Sequence, residues 1–227
     1  MEKVQELSIY LLSIRGTLAP KTLENARSIH NGTAGKPESV AAARSLGDLS
    51  HMVHVPIENP GPNTSEFLIL DQWNNMDGLN QFFANPHVQA EAGQIFTDRD
   101  PVVWAPATEY VSYHFPAPAG KDDRIVGIVR GMVKSRAASA QVHNNLAEST
   151  VNKARMRGNM SHEVFFRLMP PGSPESLELF AVDVWYDGAG MGEHYMDPEF
   201  MPALTEMFAG KPDTSVWAQP GGEWVEW

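Results

Sequence analysis

The sequence repeats itself, and this internal repeat constrains the fold more than any other feature. Short motifs in the first half of the chain recur in the same order, at a nearly constant spacing, in the second half. The repeated motifs are Arg15-Gly16 and Arg130-Gly131, His30-Asn31 and His143-Asn144, segments 46–51 and 157–162, Asp71-Gln72-Trp73 and Asp183-Val184-Trp185, Asn85-Pro86 and Asp197-Pro198, Val103-Trp104-Ala105 and Val216-Trp217-Ala218, and segments 109–113 and 223–227. This agreement predicts a tandem duplication of a unit of about 110 residues.

The duplication predicts two domains of similar structure. We place the first in residues 1–115 and the second in residues 125–227. Residues 116–124 between them are rich in Pro, Ala and Gly, which is typical of a linker. A chain of 227 residues is consistent with one or two domains of ordinary size.

Each half is predicted to contain strand, helix, strand, strand, helix and strand, in that order. In the first half the predictions are a strand at 7–17, helical stretches at 20–29 and 36–46, strands at 49–57 and 67–73 around a turn at 59–63, a helix at 74–84 and a last strand at 108–114. The second half has a matching turn at 170–174 and a last strand at 223–227. This order is that of the ferredoxin-like unit, in which helices cover one face of a four-stranded antiparallel sheet. The other, apolar face needs cover, so we predict an α+β fold in which two tandem βαββαβ units pack their sheets into one α/β barrel.

Three short motifs carry a resemblance to a known family. A glycine precedes the second strand of each half, an acidic residue and a tryptophan end the third strand, and a histidine lies four residues before a proline. These residues are Gly47 and Gly158, Asp71 with Trp73 and Asp183 with Trp185, and His194 before Pro198. On these motifs the chain resembles the dimeric α/β-barrel superfamily, and within it the antibiotic-biosynthesis-monooxygenase-like domains, once per half. Phe82 stands at the position of His194 in the first half, which departs from the pattern.

Composition excludes several kinds of site and partner. The chain has no cysteine, which excludes disulfides, thiolate nucleophiles and Cys-ligated metal centres. Asp and Glu number 28 against 17 Lys and Arg, which argues against nucleic acid or an anionic membrane surface as partner. No apolar run of about 18 residues and no signal-peptide pattern is present. We therefore predict no membrane span and a cytoplasmic location.

Three histidines are candidate catalytic residues. His51 and His162 occupy equivalent strand positions and share a face with apolar neighbours. Each is either a general base with a shifted pKa or a core histidine hydrogen-bonded to its surroundings. His194, on a predicted helix, is either a base, a haem ligand or a solvated helix residue.

Two further kinds of residue are candidates for substrate binding: Trp73, Trp185, His30, Asn31, His143 and Asn144. A tryptophan at a strand end either walls an aromatic pocket and donates its indole N–H, or anchors the packing of the sheet. A histidine beside an asparagine either polarises a substrate oxygen or ends a helix, where the helix dipole favours histidine. The sequence leaves both choices open.

The resemblance implies three alternative functions. Relatives with this fold include monooxygenases that need no cofactor, in which an electron-rich phenol, quinol or anthrone is deprotonated and itself reduces oxygen. This reading expects a histidine base in an apolar pocket and no bound metal or flavin. Haem binding or degradation also occurs in the superfamily, although the few cations here disfavour it. A non-enzymatic small-molecule-binding protein needs a pocket but no base.

The expected partner is a small aromatic or apolar molecule. The duplication supplies within one chain the second unit that single-unit relatives obtain by dimerising, so we predict a pseudo-dimer. Exposed edge strands leave a homodimer of the whole chain open.

Overall fold

The computed structural model describes residues 8–57, 65–120 and 123–227, which form two compact units. The first unit holds the described residues up to Ala105 together with Pro220–Trp227, and the second unit holds Pro106–Gln219. This division differs from the predicted boundaries at 115 and 125. The segment that follows the last strand of each half belongs to the unit built by the other half.

Among the residues described for it, the first unit has four antiparallel strands and four helices. They are β1 (Tyr10–Leu18), α1 (Leu23–Gly32), α2 (Pro37–Ser45), β2 (Asp48–Pro56), β3 (Glu66–Trp73), α3 (Met76–Phe83), α4 (Pro86–Ile95) and β4 (Phe96–Pro106). The strand order within the unit is β4-β1-β3-β2. The apolar core lies between this sheet and the helices, with Leu12, Val53 and Ile69 from the strands packed on Ala26 and Leu79 from the helices.

The described part of the second unit has five strands and three helices. They are β5 (Tyr113–His114), β6 (Ile125–Met132), α5 (Arg136–Met156), β7 (Asn159–Arg167), β8 (Glu178–Trp185), α6 (Gly188–Tyr195), α7 (Phe200–Met207) and β9 (Asp213–Ala218). The strand order within the unit is β9-β6-β8-β7-β5. Helix α5 is continuous where the first unit has α1 and α2, because its sequence lacks the Gly35 and Pro37 that interrupt the first half. No described helix is both long and apolar enough to cross a membrane.

The predicted positions of the last strands are wrong. The outer strands that follow the second helical layer are β4 and β9, not segments 108–114 and 223–227. Polar residues at 97–100 followed by Pro101 hide β4 in the sequence, because this pattern reads as a break in a strand. Within segment 108–114 the structure assigns the two-residue strand β5, which pairs with β7. The predicted turn at 59–63 lies outside the described residues.

A glycine in the left-handed region leads into β2 and into β7. Gly47 has φ +104° and Gly158 has φ +98°, a conformation that side chains rarely adopt. Their carbonyls accept hydrogen bonds from the N–H groups of Asn74 and Tyr186, at 2.9 and 3.0 Å. These turns therefore make Asp48 the first residue of β2 and Asn159 the first residue of β7.

Candidate active site

The pairing of β2 with β3 places a histidine against a carboxylate inside the first unit. His51 and Asp71 are register partners, and Nδ1 of His51 lies 2.7 Å from Oδ1 of Asp71. The two residues are only 5% and 4% exposed. A charge that is buried in an apolar layer is stable only when it is paired. The contact between His51 and Asp71 therefore explains how two ionisable side chains can be buried here.

Helix α1 adds a second histidine to this pair. Nε2 of His30 lies 2.9 Å from Nε2 of His51, and the rings are stacked with an interplanar angle of 18°. Nδ1 of His30 lies 3.0 Å from Oδ1 of Asn31. The Asn31 side chain is itself held, since its Nδ2 donates to the carbonyl of Glu223 and its Oδ1 accepts from the N–H of Val225. We call His30, His51 and Asp71 the first relay.

These hydrogen bonds leave one arrangement of protons along the first relay. The contact with the carbonyl of Glu223 fixes the orientation of the Asn31 amide, so Nδ1 of His30 must donate to Oδ1. Nε2 of a neutral His30 is then an acceptor, and Nε2 of His51 must be a donor. Another proton lies between Nδ1 of His51 and Asp71, because two lone pairs would not approach to 2.7 Å. With its carboxylate partner ionised, His51 is an imidazolium ion.

The pKa directions agree with this arrangement. Burial and the neighbouring charge of His51 lower the pKa of His30 to about 4, so this ring is neutral at pH 7. Burial would also lower the pKa of His51, but the charge of Asp71 and the hydrogen bond to it outweigh burial, and the pKa is raised. The first relay therefore contains one neutral and one charged histidine.

The second unit contains a copy, which we call the second relay: His143, His162 and Asp183. The two Nε2 atoms lie 2.8 Å apart, and Nδ1 of His162 lies 2.7 Å from Oδ1 of Asp183. Asn144, held by two backbone groups of the preceding segment, again accepts from Nδ1 of the first histidine. Burial and His162 lower the pKa of His143 to about 4, while the charge of Asp183 overcomes burial and raises that of His162.

A cavity of about 530 Å³ opens beside the first relay. Its wall is largely apolar and includes Leu12, Ile14, Ile69, Leu79, Phe82 and Phe83. Polar groups meet it around the relay: His30, His51, Asp71, Asp48 and Trp227. A cavity of this size, apolar with a few converging polar groups, is typical of a site for a small organic ligand.

Asp48 is a buried carboxyl group in the lining of this cavity. Its Oδ2 accepts a hydrogen bond from Nε1 of Trp227 at 3.2 Å, whereas its buried Oδ1 has no hydrogen-bond partner among the described residues. Burial and the charge of Asp71 raise the pKa of Asp48 to about 8, against the opposing effects of His51, of the Trp227 hydrogen bond and of the backbone N–H of Ser50. Asp48 can therefore take up or release a proton near neutral pH at the cavity wall.

The second unit has an equivalent relay, but it lacks a carboxyl group at the position of Asp48 and its cavity is much smaller. Asn159 replaces Asp48 as the first residue of the corresponding strand, and its amide donates to the carbonyls of Ser161 and Val184. An amide is not a base at neutral pH. The cavity beside the second relay measures about 60 Å³.

Tyr195 occupies the space that is open in the first unit. Its hydroxyl donates to Oδ2 of Asp183 at 2.9 Å. Gly127 makes room for it, because a Cβ at that position would lie 2.5 Å from the hydroxyl oxygen. In the first unit the equivalent positions hold Phe83 and Leu12, which line the large cavity instead.

The structure places the three predicted catalytic histidines in different surroundings. His51 and His162 lie in the relays with both ring nitrogens engaged. His194 lines the small cavity of the second unit, and burial lowers its pKa. Its Nδ1 is buried without a hydrogen-bond partner among the described residues.

The predicted substrate-binding residues also divide. His30 lines the large cavity and His143 the small one, while Asn31 and Asn144 orient these histidines. Trp73 and Trp185 are fully buried and line neither of these cavities. They pack against aromatic residues of α3 and α6, so they anchor these helices to the sheets.

Sequence reasoning missed three residues of the site: Asp48, Asp71 and Trp227. A signal for Asp71 was present, since it recurs as Asp183 in the hairpin partner of each histidine strand. Asp48 and Trp227 carry no such signal, because their counterparts in the repeat are a different residue type.

No family model matches the chain, and no curated protein matches it in sequence. Solved structures match over nearly its whole length. An anthrone oxidase-like protein has a TM-score of 0.61 at 15% identity, covering 95% of this chain and 92% of its own. A candidate monooxygenase from Fusobacterium nucleatum subsp. nucleatum has a TM-score of 0.63 at 12% identity, covering 98% and 99%. The DypB protein of Rhodococcus jostii, in complex with heme, has a TM-score of 0.55 at 11% identity, covering 94% and 93%.

The chain has the fold of the dimeric α/β-barrel superfamily. This confirms the predicted α+β class and the ferredoxin-like character of its units. Identities this low show the fold alone, so the superfamily likeness does not assign an activity.

The residues that line the two cavities do not fit haem. His30 and His51, the buried histidines at the large cavity, use both ring nitrogens within the relay, so neither offers an axial ligand. His194 borders a cavity of about 60 Å³, which is too small for a macrocycle. Within the described ranges there is also no cluster of three His, Asp or Glu that could hold a metal ion.

Proposed function

We propose that the first unit is a cofactor-independent monooxygenase that acts on a small, apolar aromatic molecule such as a phenol, quinol or anthrone. Asp48 is the base of this reaction, and the cavity beside the first relay is the substrate pocket. The observation that carries the proposal is the buried carboxyl group of Asp48, which belongs to the lining of a largely apolar cavity of about 530 Å³.

The raised pKa of Asp48 suits this role. A general base is most effective when its pKa approaches the working pH and the pKa of the group that it deprotonates. Phenols and the methylene groups of anthrones are weak acids, and an ordinary carboxylate is a poor base toward them. A carboxyl group with a pKa of about 8 is a stronger base that is still partly ionised at neutral pH.

The proposed reaction balances with oxygen as the only co-reactant. The carboxylate of Asp48 takes a proton from the substrate, and the substrate anion transfers an electron to O₂. The resulting radical pair combines to a peroxide anion, which takes back the proton from Asp48, loses water and leaves a carbonyl group. A methylene carbon and O₂ thus give a carbonyl and water, so the substrate supplies both hydrogens and all four electrons.

In this proposal the first relay supports the base and is not itself the base. This differs from the sequence analysis, which suggested His51 as the general base. His51 already carries a proton at both nitrogens and cannot accept another. Its positive charge beside Asp48 favours the ionised carboxylate, and its pairing with Asp71 keeps that charge in place.

Oxygen uptake by the purified protein tests this function. We expect uptake above the no-protein rate with members of a panel of anthrones, hydroquinones and catechols, rising with pH through about 8. Asp48→Asn should lower turnover by about 10²- to 10⁴-fold, the usual contribution of a general base. The second unit has an asparagine, Asn159, at the position equivalent to Asp48, so this variant should still fold.

His194→Phe is the matched control, because it places in the second unit the residue that the first unit has at position 82. It should leave turnover unchanged. Turnover that is insensitive to Asp48→Asn would overturn the assignment of the base. Ligand binding to the cavity without any oxygen uptake would favour a non-enzymatic binding protein.

A further inference from the structure

We propose that Trp227 is a positioning residue for Asp48: its indole N–H binds Oδ2 and so fixes the orientation of the carboxyl group beside the cavity. This inference rests on the proposed role of Asp48 as the base. It assigns a function to segment 223–227, which the sequence predicted only as a last strand.

Trp227 is bound to the site at three points. Nε1 donates to Oδ2 of Asp48 at 3.2 Å. Its ring lies on His51, with the ring centroids 4.6 Å apart and an interplanar angle of 19°. Its backbone N–H and carbonyl also exchange hydrogen bonds with the backbone of His51, at 3.2 and 2.7 Å. The indole therefore has little freedom, and the position of Oδ2 follows from it.

The residues before Trp227 are anchored to the same relay. The carbonyl of Glu223 and the N–H of Val225 bind the side chain of Asn31, which also accepts from His30. A carboxylate oxygen of Glu226 accepts from the backbone N–H of Val53 in β2, at 2.8 Å. The segment thus holds the relay and Asp48 in register with one another.

The second unit provides an internal comparison. Its segment 109–113 is anchored to Asn144 in the same way, and Tyr113 lies on His162 with the ring centroids 5.6 Å apart. Here, however, Asn159 stands in place of Asp48, and Tyr113 in place of Trp227. The anchoring is common to both units, whereas the indole occurs in the unit that has the carboxyl group. Anchoring alone therefore does not explain why the residue is a tryptophan.

Loss of the indole N–H has a defined electrostatic effect. The charged groups facing Asp48 are Asp71 on β3 and His51 on β2, with Glu226 and the neutral His30 beyond His51. Against this fixed background, the Trp227 N–H stabilises the ionised form of Asp48. Without this donor the pKa of Asp48 rises, and less of the base is ionised at any pH below it.

The test compares the parent protein with Trp227→Phe and with the protein carrying benzothienylalanine at position 227, an isostere of tryptophan that lacks the N–H. The titration of Asp48 is followed by ¹³C NMR of labelled aspartate carboxyl groups, assigned with Asp48→Asn. We expect the pKa to rise by about one unit in both. Turnover at pH 7 should fall about tenfold and converge with that of the parent well above both pKa values. Tyr113→Phe is the matched control and should change neither quantity.

The possible outcomes separate this inference from the proposed function. An unchanged Asp48 titration in the isostere would overturn the positioning role, even if Asp48→Asn abolished turnover. A raised pKa in a protein without turnover would support the positioning role and count against the monooxygenase. A loss of turnover that is equal at every pH would indicate a merely structural tryptophan and would overturn the inference.

Discussion

Nε2 of His30 and Nε2 of His51 lie 2.9 Å apart, so one of these two identical atoms must donate and the other accept. The hydrogen bonds at the far nitrogens decide which, because His30 donates to Asn31 and His51 donates to Asp71. A neutral ring therefore contacts a charged ring in the core of the unit. The same relationship recurs between His143 and His162.

This relationship predicts the protonation states of all four histidines at pH 7. His30 and His143 should be neutral with the proton on Nδ1, and His51 and His162 should be protonated at both nitrogens. Long-range ¹H–¹⁵N spectra of labelled protein distinguish these forms directly. The pKa values of His30 and His143 should be about 4, well below those of the same residues in the urea-unfolded chain. A proton on Nε2 of His30 at neutral pH would contradict the arrangement.

The two members of the buried ion pair should differ in their sensitivity to substitution. His51→Ala leaves the carboxylate of Asp71 buried without its partner, which should cost about 3–5 kcal/mol of unfolding free energy. Asp71→Asn should cost about 1 kcal/mol, because a neutral His51 can keep its Nε2 proton and accept from the new amide at Nδ1. Urea unfolding at pH 7 measures both free energies.

His87→Ala is the control for these variants, since His87 pairs with Glu91 on the surface and its side chain is 77% exposed. Its effect should stay within about 0.5 kcal/mol. Equal losses for His51→Ala and Asp71→Asn would mean that the pair is not charged as described.

The α+β fold class was predictable because motifs that recur along the sequence mark the same structural elements in both units. Gly47 and Gly158 mark the turns into β2 and β7, and the motif that ends in Trp73 or Trp185 marks the third strand of each unit. The destination of the segments after β4 and β9 was not predictable. Each belongs to the unit built by the other half, and no pattern within segment 220–227 tells which unit that will be.

The candidate site was only partly predictable for a related reason. The alternation of β2 showed that His51 faces an apolar layer, and this is correct. Its partner, His30, lies on a helix, so their contact depends on tertiary packing. The difference in volume between the two cavities depends on the equivalent positions Leu12 and Gly127. The sequence does not reveal this difference, because it arises from the contact between Gly127 and Tyr195 in the folded unit.

The raised pKa of Asp48 predicts a pH-dependent effect of Asp48→Asn on stability. The carboxyl group ionises near pH 3.8 in the unfolded chain and near pH 8 in the folded one. Between these values the folded protein binds the extra proton, so this group contributes less stability as pH rises. The asparagine variant does not titrate. Its Tm relative to the parent should therefore increase from about pH 4 to about pH 8 and then level off.

Asn159→Asp provides the reverse experiment, because it introduces a carboxyl group at the equivalent buried position. Its Tm should fall further below that of the parent at pH 9 than at pH 5. A Tm difference that is independent of pH in both variants would show that neither position raises the pKa of a carboxyl group.

The packing of Tyr195 on Gly127 in the second unit predicts that substitutions at these two positions have strongly non-additive effects on the unfolding free energy. In Gly127→Ala the new Cβ would lie 2.5 Å from the Tyr195 hydroxyl, so the hydroxyl must leave Asp183 and the variant should lose about 1–3 kcal/mol. Tyr195→Phe removes the hydrogen bond to Asp183, and it also removes the hydroxyl oxygen that an alanine at position 127 would clash with. Gly127→Ala should therefore cost much less in the Tyr195→Phe background, and a double-mutant cycle of urea unfolding measures the difference. Gly192→Ala, at a helical position with open space around the added carbon, serves as the control. Additive losses for the first two substitutions would show that the glycine is not there to admit the tyrosine.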